Sequence, residues 1–289
     1  MKLYAPSTIR EIKEKYGFRL TKSLGQNFLT DKNIIDQIIE GAGIGENDLV
    51  IEIGPGIGVI TYEASLEARK VIAIEIDKNL IPILAETLAD RDNIEIVNSD
   101  VLKTDVNALI AKARAEDPAI ENIRIIGNLP YYITTPIIMK LLEDGVEADS
   151  MTVMMQKEVA DRIKANPCTK AYGALSVAVQ YYCEVSGVVN VPKEVFIPQP
   201  KVDSAVLNLT VRKEKSVEVA DRDLFFAVVK AGFGQRRKTL NNSLMGVSGI
   251  TKEAVQASLE AAGIEPSRRA ETLDLEEFAR LAAEVGLRL

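Results

Sequence analysis

Residues 49–58 read Leu-Val-Ile-Glu-Ile-Gly-Pro-Gly-Ile-Gly, a short apolar run that stops in three alternating glycines. The run is too short for a helix and suits a buried strand. Glycines at its end let the backbone turn sharply and approach a ligand with no side chain in the way. A strand that ends in such a turn and is followed by a helix belongs at the ligand-binding edge of a parallel sheet, and few folds supply that setting.

The rest of the chain repeats the theme. Apolar runs at 49–53, 71–76, 94–97, 123–126, 151–155, 185–189 and 205–211 predict strands, with amphipathic stretches between them as crossover helices. Ahead of the first strand, Thr30 or Asp31 can cap a helix carrying Ile34, Ile35, Ile38 and Ile39, with an end expected at Gly41. Beyond Val211 the strand signal stops. Helices are then predicted around Leu224, Phe225, Val228 and Val229, from near Thr251 to Gly263, and after Asp274 with Glu277 as its capping-box partner. The expected organisation is an α/β sheet domain over 1–211, including a basic N-terminal extension over about 1–30, and a smaller, mainly helical domain over 212–289.

Composition narrows the chemistry. With 47% hydrophobic residues in 289, a sizeable core is expected, and the absence of a long apolar run or a signal-like start predicts a soluble, cytoplasmic protein with no membrane partner. There is no histidine, and the two cysteines, Cys168 and Cys183, form no C-x-x-C pair. This argues against structural zinc, disulfides and Ser-His or Cys-His nucleophiles, so no metal site is expected. The net charge of -7 argues against binding nucleic acid through bulk charge. RNA would have to be held by local patches, of which there are two: Lys13, Lys15, Arg19, Lys22 and Lys32, and Lys230, Arg236, Arg237 and Lys238. Each reads equally as a solvated face.

Three strand ends together describe a pocket for adenosine. Gly54 and Gly56 form the turn, Glu75 ends the next strand where a carboxylate can accept from two ribose hydroxyls, and Asp100 ends the third within reach of an adenine amino group. The G-x-G-x-G spacing favours S-adenosylmethionine over a dinucleotide. A fourth strand runs into Asn128-Leu129-Pro130-Tyr131-Tyr132. Elsewhere this would read as a proline turn with tyrosines on the core. At the edge of a cofactor pocket it suits a reacting centre. An amine conjugated to a purine is a poor nucleophile, and acceptors such as the Asn128 side-chain oxygen and the Leu129 carbonyl localise its lone pair. Pro130 would fix the turn and Tyr131 would stack on the base.

With Ser23-Leu24-Gly25-Gln26-Asn27-Phe28-Leu29 near the start, these motifs resemble those of the bacterial small-subunit (16S) ribosomal RNA adenine N6,N6-dimethyltransferases, the KsgA/RsmA group. The resemblance covers most of the chain. It implies a Rossmann-like class I methyltransferase sheet with S-adenosyl-L-methionine as cofactor, contacted by Asn27, Leu29, Gly54, Glu75, Asp100 and Asn128. It implies that Phe196, in the loop 195–204, meets the other face of the target base, and that Arg236, Arg237 and Lys238 contact RNA phosphates. The implied substrate is a pair of adjacent adenosines in the 3′-terminal hairpin of 16S rRNA within an immature 30S subunit, dimethylated by a monomeric enzyme in support of ribosome biogenesis. One departure is Asn27, where the family often has histidine. Three alternatives stay open: methylation of an adenosine in large-subunit rRNA, a non-catalytic ribosome-assembly factor and, more distantly, a nicotinamide-dependent oxidoreductase.

Overall fold

The computed structural model describes residues 2–17, 25–235 and 237–289. Its elements are, in chain order, α1 (Pro6–Tyr16), β1 (Phe28–Leu29), α2 (Lys32–Ala42), β2 (Asp48–Ile53), α3 (Val59–Glu67), β3 (Lys70–Glu75), α4 (Ile81–Thr87), β4 (Ile94–Asn98), α5 (Val106–Glu116) and β5 (Asn122–Asn128). There follow α6 (Thr134–Glu143), β6 (Ser150–Gln156), α7 (Lys157–Ile163), α8 (Ala174–Tyr182), β7 (Cys183–Val191), β8 (Phe196–Ile197) and β9 (Ser204–Val211). The C-terminal helices are α9 (Arg222–Gly234), α10 (Leu240–Ser243), α11 (Lys252–Ala261) and α12 (Leu275–Gly286).

One sheet has the order β4-β3-β2-β5-β6-β9-β7. Its first five strands pair in parallel, and β9 joins β6 antiparallel. The central β2 is buried at every position, because helices cover both faces of a parallel sheet, and this is why Leu49, Val50, Ile51 and Ile53 are apolar on both faces rather than alternating, with Asp48 and Glu52 as its two buried acids. Ile51 lies between Ile72 of β3 and Ile125 of β5. The antiparallel pairing runs from Ser150 opposite Thr210 to Gln156 opposite Ser204, so the start of β9 lies at the same sheet edge as the ends of β2, β3 and β5.

Helix α2 starts as the sequence indicates, with the Asp31 carboxylate accepting from the N–H groups of Asn33 and Ile34 at 2.9 and 3.2 Å. Its end corrects the expectation. Gly41 lies inside the helix, and the left-handed C-cap is Gly43 at φ 58°. Gly41 is a packing glycine: a Cβ there would stand 2.5 Å from a Val188 methyl of β7.

The chain divides into two compact units, Met1–Ala160 with Val185–Val211, and Asp161–Glu184 with Arg212–Leu289. Helix α8 therefore belongs to the helical unit although it precedes the last strands. Aromatic packing explains this. The Tyr172 ring lies 5.7 Å from Phe233 and its hydroxyl donates to the Leu273 carbonyl at 2.9 Å, while Tyr181 packs 5.3 Å from Phe225 and 5.5 Å from Phe226.

The β2–β5 pairing depends on a second packing glycine. A Cβ on Gly127 would come within 2.8 Å of the Ile53 carbonyl oxygen, a backbone atom with no room to yield. Gly127→Ala is therefore expected to lower stability by ~1–3 kcal/mol, the usual cost of overpacking. Urea denaturation checks this, and an unchanged midpoint would mean that the strands need no such close approach.

Candidate active site

The chain leaves β2 toward β3 on one side, and β5 lies on the other, so a crevice opens at the carboxyl ends where the strand order switches. A cleft lies there, lined by the ends of β2, β3 and β5 and by the segment that leads into β1. Asn27, Leu29, Gly54, Gly56, Glu75, Asp100 and Asn128 all line it, and so does Pro130. Leu129, Tyr131 and Phe196 are not among its lining residues.

In the turn after β2, Gly56 adopts φ 62°, and a Cβ there would press to 3.0 Å from the Phe28 ring, so both conformation and space call for glycine. The Glu75 carboxylate accepts from the Asp77 N–H at 2.7 Å. Burial pushes the Glu75 pKa up to about 7, against the pull of the backbone N–H groups of Asp77, Gly56 and Ile76. Asp77 in turn accepts from the Gln26 amide at 2.9 Å, which ties the segment before β1 to the end of β3. Asp100 accepts from the Leu102 N–H at 3.0 Å.

Beneath the glycine turn lies Glu52, only 1% exposed yet lining the cleft, and its Oε2 has no hydrogen-bond partner. Burial pushes its pKa up to about 8; the Thr61 hydroxyl pulls it down and the Glu75 carboxylate pushes it further up. Such a group is poised for a cation, because a positive ligand atom would offset the cost of its charge.

At the end of β5, the Asn128 side-chain N–H donates to the Asn27 backbone carbonyl at 2.9 Å. A carbonyl can only accept, so this bond leaves the Asn128 Oδ1 as the free acceptor. The Leu129 N–H is tied to the Met154 carbonyl at 3.1 Å and its side chain is buried, so what Leu129 can offer is its own carbonyl. The Pro130 carbonyl accepts from the Thr134 hydroxyl at 2.9 Å and the Ile133 N–H at 3.1 Å, which locks the turn. Tyr131 is half-buried, its hydroxyl 2.6 Å from the Ser204 hydroxyl. Phe196 is 3% exposed, opposite Leu29 in the β1–β8 pair and packed in the same core cluster as Phe28.

The model of the ribosomal RNA adenine dimethylase family matches residues 17–286. A relative from Alkaliphilus metalliredigens, a ribosomal RNA small subunit methyltransferase A, is 54% identical, with 99% of each chain covered. The chain belongs to this family. Among solved structures, a dimethyladenosine transferase from Plasmodium falciparum is similar at a TM-score of 0.75 and 27% identity, covering 90% of this chain and 98% of that one. The 23S rRNA methyltransferase ErmE is similar at a TM-score of 0.66 and 30% identity, covering 90% and 99%. As a family member the chain is a methyltransferase with a Rossmann-like α/β sheet.

The basic patches fare differently. In the helical unit, Arg237 and Lys238 are exposed in the turn between α9 and α10, and neither is ion-paired with a described residue; Arg236 lies outside the described residues. In the N-terminal patch, Lys15 is bound to Glu86 of α4 at 2.6 Å and Lys32 to Asp36 and Glu63. Those two charges are neutralised within the fold. Arg19 and Lys22, like Ser23 and Leu24 of the N-terminal motif, lie outside the described residues. No helix among the described residues is long and apolar enough to cross a membrane.

Sequence reasoning missed Glu52, Gln26 and Tyr132, all of which line the cleft. Glu52 carried a signal, a lone acid inside an apolar strand. Because folding raises the pKa of Glu52 and Glu75, the folded chain holds protons that the unfolded chain releases. Their contribution to stability is full below about pH 4.5 and is lost as pH rises through about 7 and 8. Glu52→Gln should flatten the fall in ligand-free stability between pH 5.5 and 8.5, measured by urea denaturation. An unchanged slope would mean that Glu52 ionises at its ordinary value.

Proposed function

We propose that this enzyme uses S-adenosylmethionine to dimethylate the N6 amines of two adjacent adenosines in the 3′-terminal hairpin of 16S rRNA, in support of small-subunit biogenesis. The observation that carries the reading is the Asn128 amide, held by the Asn27 carbonyl so that its oxygen is left free in a cleft it shares with Gly54, Glu75 and Asp100. The 54% identical relative, a small-subunit methyltransferase by name, supports the choice of RNA.

The residues present fit the cofactor. Glu75 would accept from the ribose hydroxyls, Asp100 from the adenine amino group, and the turn at Gly54 and Gly56 would admit the backbone side of the ligand. Asn27 and Leu29 would close the cleft, and Glu52 would answer a positive charge with its orphaned oxygen. When bound, the cofactor supplies a methyl group on a sulfonium already activated for direct displacement.

The chain's own residues prepare the acceptor. The target base has to leave the RNA stack for its N6 to be reached. Asn128 Oδ1 and the Leu129 carbonyl would accept from the amine's N–H groups and draw its lone pair out of the ring. Tyr131, its hydroxyl fixed by Ser204, would stack on the base and align it. Phe196 as placed holds the loop against β1, and stacking on the second face of the base would require its ring to leave the core. Positioning would do the work, and the proton that N6 gives up on methylation would pass to water, in keeping with a chain that has no histidine. Arg236, Arg237 and Lys238 would contact phosphates of the hairpin and fix its register without reading sequence. We place the reaction on an immature 30S particle, in the cytoplasm, with the enzyme acting as a monomer.

Labelled S-adenosylmethionine and 30S particles lacking the modification test this directly. N6,N6-dimethyladenosine at two adjacent positions near the 3′ end is expected by mass spectrometry; the likeness to ErmE makes large-subunit RNA the comparison substrate, and labelling there instead would overturn the reading. Asn128→Ala is expected to lose at least about a hundredfold in kcat, the scale of removing one oriented acceptor at a reacting centre, with RNA affinity retained. Near-normal turnover would remove that role. Replacing Arg236, Arg237 and Lys238 with alanine should weaken RNA binding and flatten its salt dependence by up to about three counterions. An unchanged salt slope would make the segment a solvated face.

A further inference from the structure

Three aromatic side chains stand near the reacting turn, and they offer different things. Phe196 is inside the core, and Tyr131 is half-buried with its hydroxyl held by Ser204. Tyr132 is 58% exposed, lines the cleft beside Pro130 and Ile133, and has no described residue bonded to its hydroxyl. One edge of its ring lies over Gly25, where a Cβ would stand 3.6 Å from Cε1 and 3.7 Å from Cδ1. More than half of the residue's surface is left exposed.

Its neighbours along the sheet edge share the property. The sheet unit exposes four large apolar side chains among its described residues: Leu66, Ile76, Tyr132 and Val202. Ile76 directly follows β3, Tyr132 follows β5, and Val202 precedes β9, whose first residue pairs with the last of β6. Three of the four thus stand at strand ends on the carboxyl edge, and two of them, Ile76 and Tyr132, line the cleft itself. At Tyr132 the exposed group is a planar ring a few residues from the Asn128 acceptor, so what lies on it is joined to what enters the reacting turn.

We propose that Tyr132 is a stacking platform for the nucleobase adjacent to the target adenine. This rests on the substrate reading above and extends it to a second base. Pulling one base from an RNA stack strips its neighbour of a stacking partner, and an exposed aromatic ring restores that partner whatever the base, because every base has a π-face. For a substrate of two adjacent adenosines, the platform holds one of the pair while the other occupies the turn. It contributes to RNA binding and leaves the methyl-transfer step alone.

Steady-state methylation of unmodified 30S particles by the full-length chain, with S-adenosylmethionine affinity measured separately by calorimetry, tests the assignment. Tyr132→Ala is expected to raise KM for the particle about tenfold, the scale of one base–aromatic stack, with kcat within about twofold and cofactor affinity unchanged. Tyr132→Phe and Tyr132→Trp, which keep a flat ring, should restore KM. A weakened cofactor affinity in Tyr132→Ala would overturn the proposal by making the ring a cover for the cofactor. A Phe variant as poor as Ala would overturn it by assigning the effect to the hydroxyl, and an unchanged KM would leave the ring with no role in binding. Inactivity of the unmutated enzyme on the particle would instead strike the substrate reading itself, and this proposal with it.

Discussion

The parallel pairing of β2 with β3 on one side and β5 on the other is the constraint on which the site depends. Two strands that share a neighbour but are reached in opposite directions cannot be bridged at their carboxyl ends, and the gap becomes the cleft. The main-chain ladder then fixes the side chains. Glu75 pairs with Asn98 at the ends of β3 and β4, while Asn128 ends β5 opposite Met154 of β6. Glycine at 127 lets β5 approach the Ile53 carbonyl closely enough for the arrangement to hold.

The same ladder takes carboxylates out of water. Glu52 and Glu75 lie at the inner end of the cleft, where burial opposes their charge more strongly than their hydrogen bonds support it. A site built for a ligand keeps polar groups that the empty protein would be more stable without, and a ligand that offsets them binds with the benefit.

Much of this was readable in the sequence where one residue type had one physical use. The β-branched runs became strands with ends shifted by a residue or two, and Asp31, Thr251 and Asp274 cap the helices they precede. What escaped depended on contacts distant in sequence. Gly41 resembles a helix terminator until Val188 is seen against it. Helix α8 is apolar around most of its circumference, so no 3.6-residue period announces it, and its allegiance to the helical unit is decided by Phe225 and Phe226, more than forty residues later. Tyr131 and Tyr132 are chemically identical neighbours, and Ser204, across the sheet edge in β9, is what holds the first of them.

The divided helical unit carries a consequence for how this chain is made. Ribosomal synthesis delivers Asp161–Glu184 first, then the two strands that complete the sheet, and only afterwards the segment that supplies Phe225, Phe226, Phe233 and Phe278. Until then the Phe233 that Tyr172 packs against and the Phe225 and Phe226 that Tyr181 packs against have not been made, and the nascent chain holds a half-built core between two stretches of finished sheet. Folding of this unit has to wait for the C-terminus, whereas the sheet can close as soon as Val211 has emerged. A chain cut after Val211 would accordingly end as a complete sheet bearing an orphaned helical insertion, rather than as a clean domain.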